Sequence, residues 1–147
     1  MKIAPISPLL FDAWVQMRQD LWPNYAEPEL RGNAGAMLAS TSGKYFVLIA
    51  SDSGRPIGFA EAALRHDYVN GCETSPVVFL EGLYVSPAHR RRGVARELVD
   101  EVAKWARALG CREFASDALL DNAPSHKMHA ALGFKESERV VYFRKTL

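Results

Sequence analysis

The chain has 147 residues, 48% of them hydrophobic and 24% charged, with a formal net charge of +1. A domain of this size can bury a sizeable core, and so small a net charge offers no general field for nucleic acid or an anionic membrane surface, so a charged ligand must be met by a local cluster. No apolar run approaches the roughly 18 residues that cross a bilayer, the N-terminus lacks a signal-peptide pattern, and Cys72 and Cys111 stand without metal-ligand spacing, which sets the expectation of a cytoplasmic, reduced, metal-free protein.

Lys2–Pro5 reads as a first strand. Ser7 then stands as a helix N-cap with Pro8 at the first helical position. Leu10, Trp14, Met17 and Leu21 follow at spacings that build one apolar helical face. Trp22-Pro23 ends that helix, because a residue before proline is pushed out of the α region. A second helix is expected over Pro28–Ala39, weakened by Gly32 and Gly35. Lys44–Ser51 and Pro56–Leu64 read as strands turning at Ser53-Gly54.

The polar stretch Arg65–Ser75, with Asn70-Gly71 inside it, reads as a loop. Val77–Val85 is a near-continuous apolar strand, a pattern that fits burial on both faces. From Gly93 the period changes: Val94, Leu98, Val102, Trp105 and Leu109 form a helical stripe, with Gly110 where a helix end favours a left-handed residue. Glu113–Ser116 reads as a strand, Asn122–Leu132 as a short helix and Val140–Arg144 as a closing strand. There is no repeat or linker, so residues 1–147 form one mixed α/β domain with a strand–helix–strand crossover in its second half. Such crossovers place two strands in parallel.

The strongest chemical signal is Val85-Ser86-Pro87-Ala88-His89-Arg90-Arg91-Arg92-Gly93-Val94-Ala95. A buried strand runs into a basic turn, and the turn opens a long amphipathic helix. Free N–H groups, the positive end of the helix dipole and three arginines all favour a phosphate there. Gly93 and Ala95 matter because larger side chains would hold a pyrophosphate off the backbone. Glu81 lies inside the apolar strand, where an unpartnered buried carboxylate would cost several kcal/mol. Two readings stay open for it: a salt bridge across the sheet, or a place in a cleft where it binds an ammonium and removes its proton. His66 and His89 lie in expected loops and show no pairing pattern for metal ligation, and His126 reads as a surface residue of the short helix.

On these residues the sequence resembles the GNAT superfamily of acyl-CoA-dependent N-acetyltransferases. Arg90-Arg91-Arg92-Gly93-Val94-Ala95 fits that family's pyrophosphate pattern, and Asn122 and Leu132-Gly133-Phe134 also match. The resemblance implies a central, V-shaped, mostly antiparallel sheet flanked by helices, with acetyl-CoA as co-substrate. It implies cofactor contacts from Leu83, Tyr84 and Val85, from the turn Arg90 to Ala95, and from Asn122. Gly82, in mid-strand, fits a bulge or a close backbone approach. Where the family often has a tyrosine as proton donor to the leaving thiolate, this sequence has His129, which the resemblance leaves as general acid, packing residue or cofactor contact.

A closer resemblance, to bacterial aminoglycoside 6'-N-acetyltransferases, is carried by Leu21-Trp22-Pro23, Arg65–Gly71, Ser75–Gly82 and Glu138–Val141. It implies acetyl transfer to the 6'-amine of an aminoglycoside, conferring antibiotic resistance, with Trp22, Tyr68, Glu81, Asp117 and Glu138 around the substrate. Carboxylates and aromatic faces suit a polycation. It also implies a homodimer built on Val140–Arg144, whose strand edge would otherwise lie open. The rival readings are a GNAT enzyme for a polyamine or other small amine, and a non-catalytic CoA-binding module.

Overall fold

A computed structural model of the chain describes residues 1–147. Strand β1 is Lys2–Pro5, β2 Tyr45–Asp52, β3 Arg55–Arg65, β4 Val77–Val85 and β5 Phe114–Ala115. They form one sheet in the order β1-β2-β3-β4-β5, antiparallel except for the parallel pair β4–β5. The helices are α1 (Phe11–Leu21), α2 (Glu27–Ala39), α3 (Val94–Ala108) and α4 (Ala123–Ala131). The α3 crossover makes the one parallel pairing, and it is short: only Val78 and Phe79 of β4 meet Phe114 and Ala115. From Leu80 to Val85 the β4 edge has no strand neighbour on that side, so the sheet opens into a V there.

Two apolar cores lie on opposite faces of this sheet. One packs Val94, Leu98, Val99, Val102 and Ala106 of α3 against residues of β2, β3 and β4. The other packs Trp14, Val15 and Met17 of α1 and Ala34 of α2 against Val47, Ile49, Phe59 and Tyr84. Helix α3 follows the expected stripe, and Gly93 stands at its N-cap in the left-handed region, with φ 82°. Gly110, with φ 81°, lies just past its C-terminus.

Strand β4 changes parity in its middle. Val78 and Leu80 contribute to the α3 core, and so do Leu83 and Val85, an odd step that a regular strand cannot make. The register supplies the cause: Glu61 pairs with Gly82 while Ala62 pairs with Leu80, leaving Glu81 as the extra residue of a bulge.

Three expectations need correction. Ser7 is extended, but its hydroxyl caps nothing; Pro8–Leu10 forms a 3₁₀ turn in which Leu10 N–H donates to the Ser7 carbonyl, and α1 starts only at Phe11. Helix α2 begins at Glu27, one residue before Pro28. The closing strand Val140–Arg144 does not form. Residues 135–147 carry no helix or strand, and Val141, Tyr142 and Phe143 are 76%, 79% and 92% exposed. The apolar run Val140–Phe143 is real, but a strand needs an edge to pair with, and this segment meets none in a single chain.

Candidate active site

The basic turn is built by backbone geometry. After β4, Pro87–His89 makes a 3₁₀ turn, and the chain then passes through two left-handed residues, Arg91 (φ 62°) and Gly93 (φ 82°), into α3. No backbone N–H from Arg91 to Arg96 has an acceptor within the protein. Successive unbonded amides with alternating handedness, at the N-terminus of a helix of 15 residues, form an anion cradle. A Cβ at Gly93 would meet nothing within 4 Å, so the space above it stays open to a ligand. The arginines divide. Arg90 turns back, its Nε donating to the Val85 carbonyl at 2.8 Å and its guanidinium lying 5.9 Å from the Tyr84 ring. Arg91 and Arg92 are exposed and have no ion pair.

Beside this turn, the open edge Leu83-Tyr84-Val85 faces the V between β4 and β5. An extended chain can pair with such an edge, as the pantetheine arm of acetyl-CoA would. The residues present therefore fit acetyl-CoA: unbonded amides and free guanidinia for its phosphates, strand groups for its amides.

On the α1–α2 face, a cleft of about 410 Å³ is lined by Arg18, Trp22, Asn33, Ala36, Met37, Tyr45, Glu61 and Glu81. The bulge puts Glu81 and Gly82 side by side toward it. A Cβ on Gly82 would lie 2.7 Å from Trp22 Cη2; glycine stands there because the indole rests on the strand backbone. Glu81 is exposed, a correction to the burial expected of it, and the salt bridge across the sheet is present. Glu81 faces the cleft, and Arg65 Nη2 donates to its Oε1 at 2.7 Å. The Arg65 guanidinium in turn stacks 3.8 Å over the Phe79 ring.

The other substrate candidates lie elsewhere. Tyr68 is 74% exposed on the loop after β3. That loop is pinned from β5's side, where Glu113 accepts from Glu73 N–H (2.9 Å), Thr74 N–H (2.7 Å) and Thr74 Oγ1 (2.5 Å). The Thr74 hydroxyl, followed by those two amides, holds the Glu113 carboxyl below its ordinary range. Glu138 sits against the same loop: a Cβ on Gly71 would land on Ser137 Oγ and come within 3.6 Å of Glu138 Cβ. Its neighbour Glu136 is paired with Arg139, so only Glu138 is left without a cation. Asp117 is exposed past β5 and forms no part of the cleft wall. A single chain thus brings Trp22 and Glu81 together, sets Glu138 against the loop that carries Tyr68, and leaves Asp117 apart.

Asn122 caps α4, its Oδ1 accepting from Ser125 N–H at 3.3 Å. His129 has both ring nitrogens engaged. Nδ1 lies 2.7 Å from the Ser125 carbonyl, which can only accept, so Nδ1 carries a proton. Nε2 lies 2.7 Å from Ser116 Oγ, and the ring packs edge-on against Phe134. His126 is bound to the Leu119 carbonyl, and His89 to Ser86. Cys72 and Cys111 are free thiols that burial pushes up in pKa.

Sequence reasoning missed the buried pair Arg18–Glu61 on the cleft floor. The available signal was an arginine on the apolar stripe of α1, four residues after Trp14, and a carboxylate in the middle of an apolar strand.

Comparison with known proteins agrees with this geometry. The chain is 50% identical over 145 residues to an aminoglycoside N(6')-acetyltransferase type 1 of Acinetobacter genomosp. 13, covering 99% of this chain and 98% of that protein. It is 46% identical over 134 residues to the enzyme of that name from Salmonella typhimurium, covering 91% of each. Its fold matches the apo crystal structure of aminoglycoside antibiotic 6'-N-acetyltransferase AAC(6')-IG from Acinetobacter haemolyticus with a TM-score of 0.95, at 46% identity over 100% of this chain and 99% of that one. AAC(6')-Iy in complex with the bisubstrate analog CoA-S-monomethyl-acetylneamine matches with a TM-score of 0.92, at 42% identity over 99% and 98%. The acetyltransferase (GNAT) family matches residues 14–134. With the cradle ahead of α3, the open β4 edge and the opposing acidic cleft all inside that span, the chain belongs to the GNAT acetyltransferase family.

Proposed function

We propose that this protein transfers acetyl from acetyl-CoA to the 6'-amino group of an aminoglycoside, and so confers resistance. The observation that carries the reading is the bulge of β4. It turns a carboxylate and an aromatic wall toward one cleft, on the strand whose open edge runs into the anion cradle. The end-to-end identity with enzymes named for this reaction supports it.

The cradle Arg91–Ala95, with Arg91 and Arg92, holds the pyrophosphate, and Asn122 offers its side-chain amide from α4. Backbone groups of Leu83–Val85 align the thioester and polarise its oxygen. Glu81 holds the acceptor ammonium and takes its proton, directly or through a water. The freed lone pair attacks the thioester carbon, the C–S bond breaks, and the thiolate takes up a proton. With Nδ1 committed to a carbonyl, His129 reaches the sulfur only through Ser116 Oγ. A protonated imidazole donates from Nε2 to Ser116, whose own proton passes to the thiolate. Trp22 forms the wall beside Glu81. Tyr68 and Glu138 supply an outer rim of aromatic surface and negative charge for the remaining ammonium groups, and Asp117, outside the cleft in a single chain, adds negative charge past β5.

The chain works as one domain, residues 1–147, because the two cores share one sheet. No helix is long and apolar enough to cross a membrane, and we place the enzyme in the cytoplasm with its acetyl-CoA supply. It acts as a homodimer through the apolar arm Val140–Phe143; in sedimentation, a chain ending at Arg139 is expected to run as a monomer, and an unchanged assembly removes that role.

The test pairs aminoglycosides that differ only in a 6'-amine or a 6'-hydroxyl, with thiol release and mass spectrometry as readouts. Acetylation of the amine-bearing member alone is expected. Acetylation of both, or of neither while spermidine reacts well, overturns the assignment.

A further inference from the structure

The cleft floor holds an ion pair that the acetyl transfer described above does not use. Glu61 of β3 is 1% exposed and Arg18 of α1 is 5% exposed. Arg18 Nε donates to Glu61 Oε1 at 2.5 Å and Nη2 to Oε2 at 3.3 Å, while Trp14 Nε1 donates to Oε1 at 2.9 Å. The remaining guanidinium nitrogen, Nη1, donates to the Leu30 carbonyl of α2 at 2.6 Å. Burial pushes the Glu61 carboxyl up, and the Arg18 guanidinium and Trp14 indole pull it back.

Net stability does not explain such a pair. Desolvating two charges costs about what their attraction returns, and apolar residues of similar volume serve a core equally well. The neighbours Trp14, Ile49 and Phe59 already pack apolar and fully buried on this face. What distinguishes the pair is its place. The Arg18 guanidinium lies 5.1 Å from the Trp22 ring centre. Glu61 is the strand partner of Gly82, on which that ring rests, and lies opposite the bulge that carries Glu81.

We infer that Arg18 and Glu61 are positioning residues for the acceptor. The guanidinium seats the Trp22 indole as a cleft wall, and the Glu61 carboxylate fixes the guanidinium and cancels its charge, so that an incoming ammonium is met by Glu81 over a neutral floor. This inference rests on the proposed acetyl transfer.

Two variants test it. Arg18→Met/Glu61→Gln removes both charges and keeps an oxygen for Trp14. Arg18→Lys keeps the charge and loses the planar face and the fork of donors. Circular dichroism reports the fold, calorimetry the acetyl-CoA affinity, and steady-state kinetics KM and kcat for an aminoglycoside bearing a 6'-amine. In the folded double variant the acceptor KM is expected to rise about tenfold or more, with acetyl-CoA affinity held within about twofold and kcat changed less than KM. A wild-type acceptor KM overturns the inference, as does a parallel loss of both affinities, which would mark general loosening. Should the double variant not fold, Arg18→Lys decides by the same two affinities. Wild-type enzyme, run beside them, tests the proposed function separately: if it acetylates no aminoglycoside, that reading fails and the variants are compared on the best amine acceptor.

Discussion

Replacing Gly82 by alanine perturbs the acceptor wall and little else. The new Cβ would lie 2.7 Å from Trp22 Cη2, 3.0 Å from Cζ2 and 3.4 Å from Phe59 Cε2. Carbon atoms sit best at about 3.5–4.0 Å, so the indole must retreat by roughly 1 Å. Overpacking of this kind costs about 1–3 kcal/mol. Gly82 does not need a positive φ, so alanine also gains up to about 1 kcal/mol by restricting the unfolded chain. Trp22 is only half-buried and can swing toward the cleft, so the strain appears as a displaced wall rather than a broken sheet. An acceptor KM raised about 5- to 150-fold corresponds to those 1–3 kcal/mol, while acetyl-CoA affinity by calorimetry and the far-UV spectrum stay as in wild type. Gly58→Ala is the contrast, because its Cβ would lie 2.6 Å from the Tyr84 carbonyl oxygen, backbone that cannot retreat; that variant is expected to fold poorly. A Gly82→Ala enzyme with unchanged acceptor KM, or one that loses acetyl-CoA affinity in step, refutes the reasoning.

Gly93→Val is expected to weaken acetyl-CoA binding by about tenfold or more, since a β-branched residue resists the φ of 82° that aims the cradle amides; calorimetry should show a smaller loss for Arg91→Ala. Glu81→Gln should keep the fold and acetyl-CoA affinity while lowering kcat/KM by about 10²-fold or more below the amine's pKa, and an unchanged pH–rate profile would remove Glu81 as base. If Ser116 relays the proton of His129, then Ser116→Ala, His129→Phe and the double variant should each lower kcat by a similar factor, on the order of 10²-fold; independent, multiplying effects would separate the two residues. Glu113 has its pKa lowered by the loop it pins, so the unfolded chain binds more protons between the folded value and about 4.3, and the stabilisation is full above that range and is lost as pH falls through the folded value. The melting-temperature gap between wild type and Glu113→Gln should therefore be open at about pH 6 and close on acidification.

The parts of the fold that could be read from sequence are those whose signal is local. Val77–Val85 matches β4 residue for residue, because an apolar run between turn signals needs no partner to be recognised. Helix α3 was legible from its stripe, and the cradle from glycine and arginine at a strand-to-helix turn. The closing strand Val140–Arg144 had an equally good local pattern and does not form, because a strand is completed by an edge outside itself. The edge strand β5 has only two residues, and nothing in the order of residues says whether a distant segment reaches it or another chain does.

The candidate site divides in the same way. Trp22 and Glu81 could be singled out by residue type, but the burial inferred for Glu81 followed from the near-continuous apolar run Val77–Val85, a pattern that fits burial on both faces, whereas Glu81 is exposed at the cleft. One extra residue between Leu80 and Leu83 turns Glu81 and Gly82 to the same face, so an apolar strand carries a carboxylate at the cleft, paired with Arg65. The carboxylate that is buried, Glu61, occurs in the segment Pro56–Leu64, read only as a strand, and its partner Arg18 lies 43 positions earlier on a helix read as an apolar stripe. Each looked like an ordinary amphipathic irregularity alone, and only the packing of α1 across β3 makes them a pair. The same packing sets the indole of Trp22 against Gly82. The glycine that sequence could flag only as a bulge or a close approach is both, because the bulge frees the backbone face on which the aromatic wall rests.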